Sequence, residues 1–346
     1  NMSQAPSRKS SNPSMEKPSA PTLDDVARVS GLSPITISRA LRNPHMVRPQ
    51  TIEKVKEAVA LTGYIPNMLA GGLASKRSRL IAAVVPQLNN AMFVDTVQGL
   101  SDQLEARGYH LLLCLSGYSA QREEDVVSAI LSRRPDGVVL TGINHSQPLR
   151  QRLLASGIPV VETWDLTPTP IDMLVGFSHE KIGIQIAQYL YGKGCRRFGL
   201  VWGNDERAAL RRKGLLDTLN SHGISDVPVQ TVPIPATLQL GRDGLCDLLA
   251  TGQQFDAIVC SSDSLAHGVM IEAAERGLKV PEQLAVMGFG DMDFSRCTSP
   301  AISTVRIGKH EIGELAAKAL LAKIEGQALP ERIFDVGFEL IERGST

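Results

Sequence analysis

Two groups of residues in this 346-residue chain have the types and spacing for chemistry. The first is compact: Ser33, Pro34, Ile35, Thr36, Ser38 and Arg39 follow one another within a single short stretch. A guanidinium such as that of Arg39 can donate a bidentate pair to guanine O6 and N7. Pro34 and Ile35 beside it offer only apolar contact, for instance to a thymine methyl. The hydroxyls of Thr22, Ser33, Thr36, Ser38 and Thr51 suit phosphate oxygens, which fix register without reading sequence. The second group is dispersed over segments that follow short apolar runs: Gln87, Phe93, Trp164, Phe177, His179, Arg207, Arg211, Ser262, Asp263, Phe289 and Asp291. Amides, hydroxyls, aromatic rings and arginines together suit a polyhydroxylated small molecule, with its CH faces on the rings and its oxygens on fixed polar groups. Trp164 and Phe177 read equally as walls of such a site or as core. Asp263 reads as a site residue, as the cap of a helix starting at Ser264, or as both.

The elements that must position the first group are three short helices over 21–63. Thr22 caps the first, with Asp25 three residues on and Leu23, Val26 and Ala27 as its apolar stripe. Gly31 ends it. Ser33-Pro34 restarts the chain as a serine cap followed by proline at the first helical position, and Asn43-Pro44 stops the second helix near residue 42. Pro49 opens a third, with Ile52, Val55 and Val59 on one face and Gly63 past its end. Two helices joined by a tight glycine-containing turn make a helix-turn-helix.

From Leu80 the rhythm changes to short β-branched runs alternating with amphipathic helices. Strands are expected at 80–85, 109–114, 137–140, 160–162, 198–202, 257–260 and 285–288, and helices at 93–107, 121–133, 180–192, 208–222, 264–276 and 309–325. This alternation implies parallel sheets covered by helices, and it resets after Phe177, which suggests two similar lobes. In such sheets a ligand sits at the carboxyl ends of the strands, where the second group falls.

The net charge of zero hides a split: residues 1–79 carry 12 basic and 5 acidic side chains, a surplus of +7, and the remainder carries −7. A cationic arm on a mildly acidic body points to a polyanion partner. No apolar run reaches the roughly 18 residues of a membrane helix, and residues 1–20, rich in Ser, Pro and Lys, read as a disordered tail rather than a secretory signal. Cys114, Cys195, Cys246, Cys260 and Cys297 form no CxxC pair, so neither a disulfide framework nor a metal site is expected. A reduced, cytoplasmic protein is the simplest reading. Enzyme motifs are lacking: Gly288-Phe289-Gly290-Asp291-Met292-Asp293 begins like GxGxxG but has no third glycine, and no GxSxG, HExxH or P-loop occurs. His145, His179, His222, His267 and His310 stand isolated in sequence and read as loop or helix-surface residues, His179 alone lying in a cleft loop.

The stretch TLDDVARVSGLSPITISRALRNPHMVRPQTIEKVKEAVALTGYIPNMLAGGLASKRS resembles the headpiece and hinge of the LacI/GalR family of bacterial repressors, including DVA, the S-x-x-T-[IV]-S-R-x-L helix and Y-[IV]-P-N. GFSHEKIG, SSDSLAHGVM and VMGFGDMD extend the resemblance to the C-terminus, and VVETWD resembles the gluconate-utilisation members. The resemblance implies an all-α helix-turn-helix headpiece (21–65), a hinge helix and linker (66–79), and a two-lobed α/β core of doubly wound parallel sheets like a periplasmic binding protein. One lobe is expected at about 80–176 plus 306–335, the other at about 177–305 plus 336–346. It further implies phosphate contacts by Thr22, Ser33, Ser38, Arg42 and Thr51, base contacts by Pro34, Ile35 and Arg39, and further DNA contacts from Tyr64. Leu73 is placed in the minor groove as an apolar wedge that kinks the duplex, with Asn67 and Ala70 on the same helix. Gly71-Gly72 weakens that helix by about 1 kcal/mol per glycine. In the core, Arg211 matches an arginine that grips effector hydroxyls, and Asp263 a cleft position. Gly290 stands where many sugar-binding members carry an acid, which leaves Arg207 and Arg211 to pair with a ligand carboxylate.

The expectation is therefore a cytoplasmic repressor, not an enzyme, without cofactor or metal, binding palindromic operator DNA as a homodimer, with a tetramer left open. It is released by a sugar acid such as gluconate; co-repression, or response to a neutral sugar, are the alternatives.

Overall fold

The structure, a computed structural model, describes residues 20–67 and 77–346. These fall into two compact units divided at Lys76. The first is all helical: α1 (Leu23–Ser30), α2 (Pro34–Arg42) and α3 (Pro49–Thr62). Each start has a local cause. Thr22 and Asp25 form a reciprocal capping box, the Asp25 amide donating to the threonine hydroxyl and the Thr22 amide to the carboxylate at 2.8 Å. Ser33 accepts from the Thr36 amide with Pro34 next to it, and Pro49 opens α3. Val26, Ile37, Ala40, Val55 and Ala58 make the core, with Leu23, Val47, Val59 and Tyr64 against it. A handful of buried side chains, each worth about 1.5–3 kcal/mol for the larger ones, is a small reserve against the entropy of ordering the unit.

The second unit begins with β1 (Leu80–Val85), α4 (Val94–Glu105), β2 (His110–Leu115), α5 (Ala120–Ser132), β3 (Gly137–Thr141), α6 (Gln147–Ser156), β4 (Val160–Thr163) and β5 (Met173–Gly176). It continues through α7 (His179–Gly192), β6 (Phe198–Gly203), α8 (Glu206–Ser221), β7 (Val229–Val232), α9 (Leu238–Ala250), β8 (Ala257–Cys260), α10 (Asp263–Glu275) and β9 (Ala285–Met287). It closes with β10 (Thr304–Arg306), α11 (Lys309–Ile324), β11 (Ile333–Asp335) and β12 (Glu339–Ile341).

The strands sort into a six-stranded sheet, β11-β5-β4-β3-β1-β2, and a four-stranded sheet, β7-β6-β8-β9. Every pairing in both is parallel. The chain passes between sheets after β5, returns through β10 to α11 on the first sheet, and leaves again after β11. β10 and β12 pair antiparallel between those passages. Both faces of a parallel sheet are covered, so its strands are continuous apolar runs: β4, β5, β6 and β8 are buried at every position. The edge strand β2 differs. Its sequence HLLLCL leaves Leu112 42% and Leu115 40% exposed.

Candidate functional site

Between the strand ends lies a cleft enclosing about 850 Å³, part of it open to solvent. The turns after β1, β2, β4, β6, β7, β8 and β9 all contribute to it.

One wall is aromatic. Trp164 directly follows β4 with a φ of +71°, a left-handed conformation that is strained for a bulky residue. Three hydrogen bonds hold it there. Its amide donates to the Val175 carbonyl at 3.1 Å, its indole to Thr96 Oγ1 at 3.0 Å, and its carbonyl accepts from His179 Nε2 at 2.7 Å. Phe93 meets the indole edge-on at 5.2 Å, with Phe177 behind it at 5.7 Å.

The opposing chemistry comes from α7 and α8. Arg211 is only 5% exposed. Its Nη1 donates to His179 Nδ1 at 2.9 Å and its Nη2 to the Ser261 carbonyl at 3.1 Å. Its guanidinium carbon lies 3.8 Å over the Phe289 ring, and its Nε is buried without a partner. Burial pushes Arg211 down to about 10, with Arg207 adding to the effect, so it is still cationic at neutral pH. His179 accepts at one nitrogen and donates at the other, which defines a neutral tautomer. Burial first, and the neighbouring Arg211 next, hold it well below the ordinary histidine range. Arg207 lies 5.6 Å from the Phe93 ring and has no hydrogen bond or ion pair among the described residues. The Asp205 carboxylate lines the cleft too, but caps α8 through the Ala208 amide. Behind Trp164, burial raises the Asp165 carboxyl to about 6.

Of the residues singled out in the sequence, Phe93, Trp164, His179, Arg207, Arg211, Ser262, Asp263 and Phe289 line this cleft. Three do not. Phe177 is wholly buried against Trp164 and His179. Asp291 turns away to Arg306 at 2.7 Å and Arg343 at 2.8 Å. Gln87 lies outside the walls. Asp263 is not the cap of α10 either; Ser262 is, accepting from the Leu265 amide. The Asp263 carboxylate instead accepts from Ser295 Oγ, Thr304 Oγ1 and the Met292 amide at 2.5, 2.7 and 3.0 Å, which ties the β9 and β10 turns together. The walls also include Asn90, Met92 and Met292, which fall in the strand-end loops 86–93 and 289–293 expected from the sequence but were not singled out, and Tyr118 and Ile234, which fall outside the expected loops. His145, expected on a surface, is buried between Glu123 at 2.8 Å and Glu162 at 3.1 Å. Burial alone would lower it, but the two carboxylates hold it at about 9. Among the described residues no His/Cys/Asp/Glu cluster fits a metal.

On the helical unit, Pro34, Ile35, Ser38, Arg39 and Arg42 line one shallow groove with Leu23 and Asn43. Ile35 is 72% exposed, a location that buries nothing in the isolated unit. Neither Arg39 nor Arg42 has a partner among the described residues. Ser33 and Thr36 share a hydroxyl contact of 2.9 Å, Thr22 donates to Asp25, and Thr51 lies in the first turn of α3. Tyr64 packs partly buried on the helical core. Asn67 is the last residue described before the gap, and Ala70 and Leu73, with most of the expected hinge helix, lie outside the described residues.

Known proteins with the same pattern give this geometry a context. Residues 22–67 match the model of bacterial regulatory proteins of the lacI family, and residues 187–346 that of a periplasmic binding protein-like domain. The transcriptional regulator GntR of Pseudomonas aeruginosa is 38% identical over 94% of this chain and 96% of its own length. A LacI-family regulator structure from Silicibacter pomeroyi superposes with a TM-score of 0.89 at 31% identity, covering 94% of this chain and 98% of that one. The transcription regulator GntR from Chromobacterium violaceum gives 0.74 at 35% identity over 77% of this chain and 98% of that one. With helix-turn-helix unit, two-lobed parallel core and near full-length similarity in agreement, this chain belongs to the LacI family of DNA-binding transcription regulators.

Proposed function

We propose that this protein represses transcription from a two-fold-symmetric operator, bound as a dimer, and is released when a sugar acid, gluconate or a near relative, enters the cleft. The observation that carries the ligand class is Arg207: a half-buried cation in the cleft with no counter-ion hydrogen-bonded to it among the described residues, near the fully buried cation of Arg211. A ligand carboxylate would pair with Arg207 through a charge-assisted bond, in the field of the neighbouring Arg211 cation. Relatives named GntR agree with a gluconate-type effector.

Second-copy pairing is supported by β2, an unpaired sheet edge that presents Leu112 and Leu115, with Leu88 and Val94 also exposed on the neighbouring turn and helix. An exposed apolar edge is a pairing surface unless covered. At the operator, α2 enters the major groove with Arg39 on base edges and Ile35 on methyls, and Thr22, Ser33, Ser38, Arg42 and Thr51 hold phosphates. Leu73 of each copy wedges the minor groove through a hinge spanning Asn67 and Ala70. Effector lowers operator affinity only to the extent that it prefers a lobe arrangement which DNA disfavours.

Calorimetric titration with gluconate, 2-ketogluconate, 6-phosphogluconate and ribose tests the ligand class. Binding of the acids alone is expected, and binding of ribose alone refutes it. A gel shift with and without the bound acid distinguishes induction from co-repression.

A further inference from the structure

Gly290 has a φ of +120°, a backbone region close to glycine-only. It cannot relax easily, because its amide donates to the Val305 carbonyl at 2.9 Å and its own carbonyl accepts from Lys309 Nζ at 2.5 Å. A Cβ built there would lie 2.6 Å from Met92 Sδ and 3.0 Å from Met92 Cε, with Met292 Sδ at 3.8 Å. Both methionines line the cleft; Gly290 does not. The thioether of Met92, from the turn after β1, therefore occupies the space that a side chain on the turn after β9 would take. The two halves come from opposite sheets. They neighbour Phe93 and Phe289, the rings on which the Arg207 and Arg211 guanidinium groups lie.

We infer that Met92, seated against the bare backbone of Gly290, is a specificity-determining residue: it bounds the cleft beside the two arginines and so limits the length of polyhydroxylated chain that the cleft admits. Methionine suits this role because its unbranched thioether fits an irregular gap and is only a weak acceptor for a hydroxyl. Shortening it to alanine removes Cγ, Sδ and Cε, room enough for the carbon and oxygen of one further hydroxymethylene unit. The inference rests on the sugar-acid reading for its choice of ligand, not for its geometry.

The test titrates the full-length protein with straight-chain aldonates of four to seven carbons and, in parallel, with the alditols of the same lengths. Met92→Ala should move the preference to a longer chain, raising the affinity of the next length relative to the original optimum roughly tenfold. Met92→Leu, which keeps the volume, should keep the wild-type ranking. If Met92→Ala weakens every length by one common factor, or leaves the ranking unchanged, the length limit is overturned while the sugar-acid reading stands. If alditols alone bind and their ranking shifts, the limit stands and the sugar-acid reading falls. If neither series binds the wild type, both fall.

Discussion

The helical unit and the cleft put the same residue, arginine, to opposite uses. In the helical unit Arg39 and Arg42 lie on one nine-residue helix, without partners among the described residues, beside an exposed isoleucine. In the cleft Arg211 is buried, bonded to a histidine and a carbonyl, and stacked on a ring. The first arrangement leaves the charged groups free to adapt to a large charged partner. The second is organised before any ligand arrives, so less of the binding energy goes into arranging the site. Under the proposed function, one surface would read a long polyanion by many weak contacts and the other select a small molecule by a few fixed ones.

Four outcomes would break or sharpen this contrast, beginning with the largest. Arg211→Ala should weaken effector binding by at least about a hundredfold, because it removes a buried cation and leaves His179 Nδ1 and the Ser261 carbonyl unpaired. Operator binding without effector should survive in a gel shift, and its loss would show that the two regions are not separable. Arg39→Ala should cost about 1–3 kcal/mol of base discrimination, read as competition between operator and scrambled duplex, with calorimetric effector affinity unchanged. Ile35→Ala should cost less, about 1 kcal/mol or one lost methyl contact, at a single base position in a binding-site selection.

The remaining outcome reads stability rather than recognition. His145 is held at about 9 by Glu123 and Glu162. A group raised in the folded state stabilises fully below its unfolded value near 6.5 and loses that contribution as pH rises through 9. The melting temperature of the core should therefore fall by a few degrees between those limits. His145→Gln should flatten the slope; an equal slope in the variant would remove His145 as its source.

The helical unit was legible because its determinants are local. Thr22 with Asp25, Ser33 with Pro34, and Pro49 each act within a few residues of the helix they start. The parallel strands were legible wherever burial on both faces wrote a continuous apolar run. β5 and β7 were not: β5 is a short run closed by a glycine, and β7, VQTV, carries polar residues at both central positions. Helix α9 hides behind Gly241 and Gly244, which lower its propensity. Gly241 is there because a Cβ would stand 2.3 Å from the Leu265 carbonyl of α10, a requirement set by a neighbour in space. The cleft was half legible for the same reason. Trp164, Arg207 and Arg211 follow strands and so advertise themselves. Nothing near Asp291 announces that Arg343, from the far end of the chain, would turn its carboxylate away.

The chain has two tryptophans, and both belong to the core. Trp202 is sealed on β6 with its indole bonded to the Ala208 carbonyl, whereas Trp164 faces the cleft. The molecule thus carries its own optical gauge: effector occupancy should register in the emission of Trp164 above a steady background from Trp202. The DNA-reading unit contains no indole, so a change in emission on adding operator, once corrected for absorption by the duplex, reports on coupling between the units without a label.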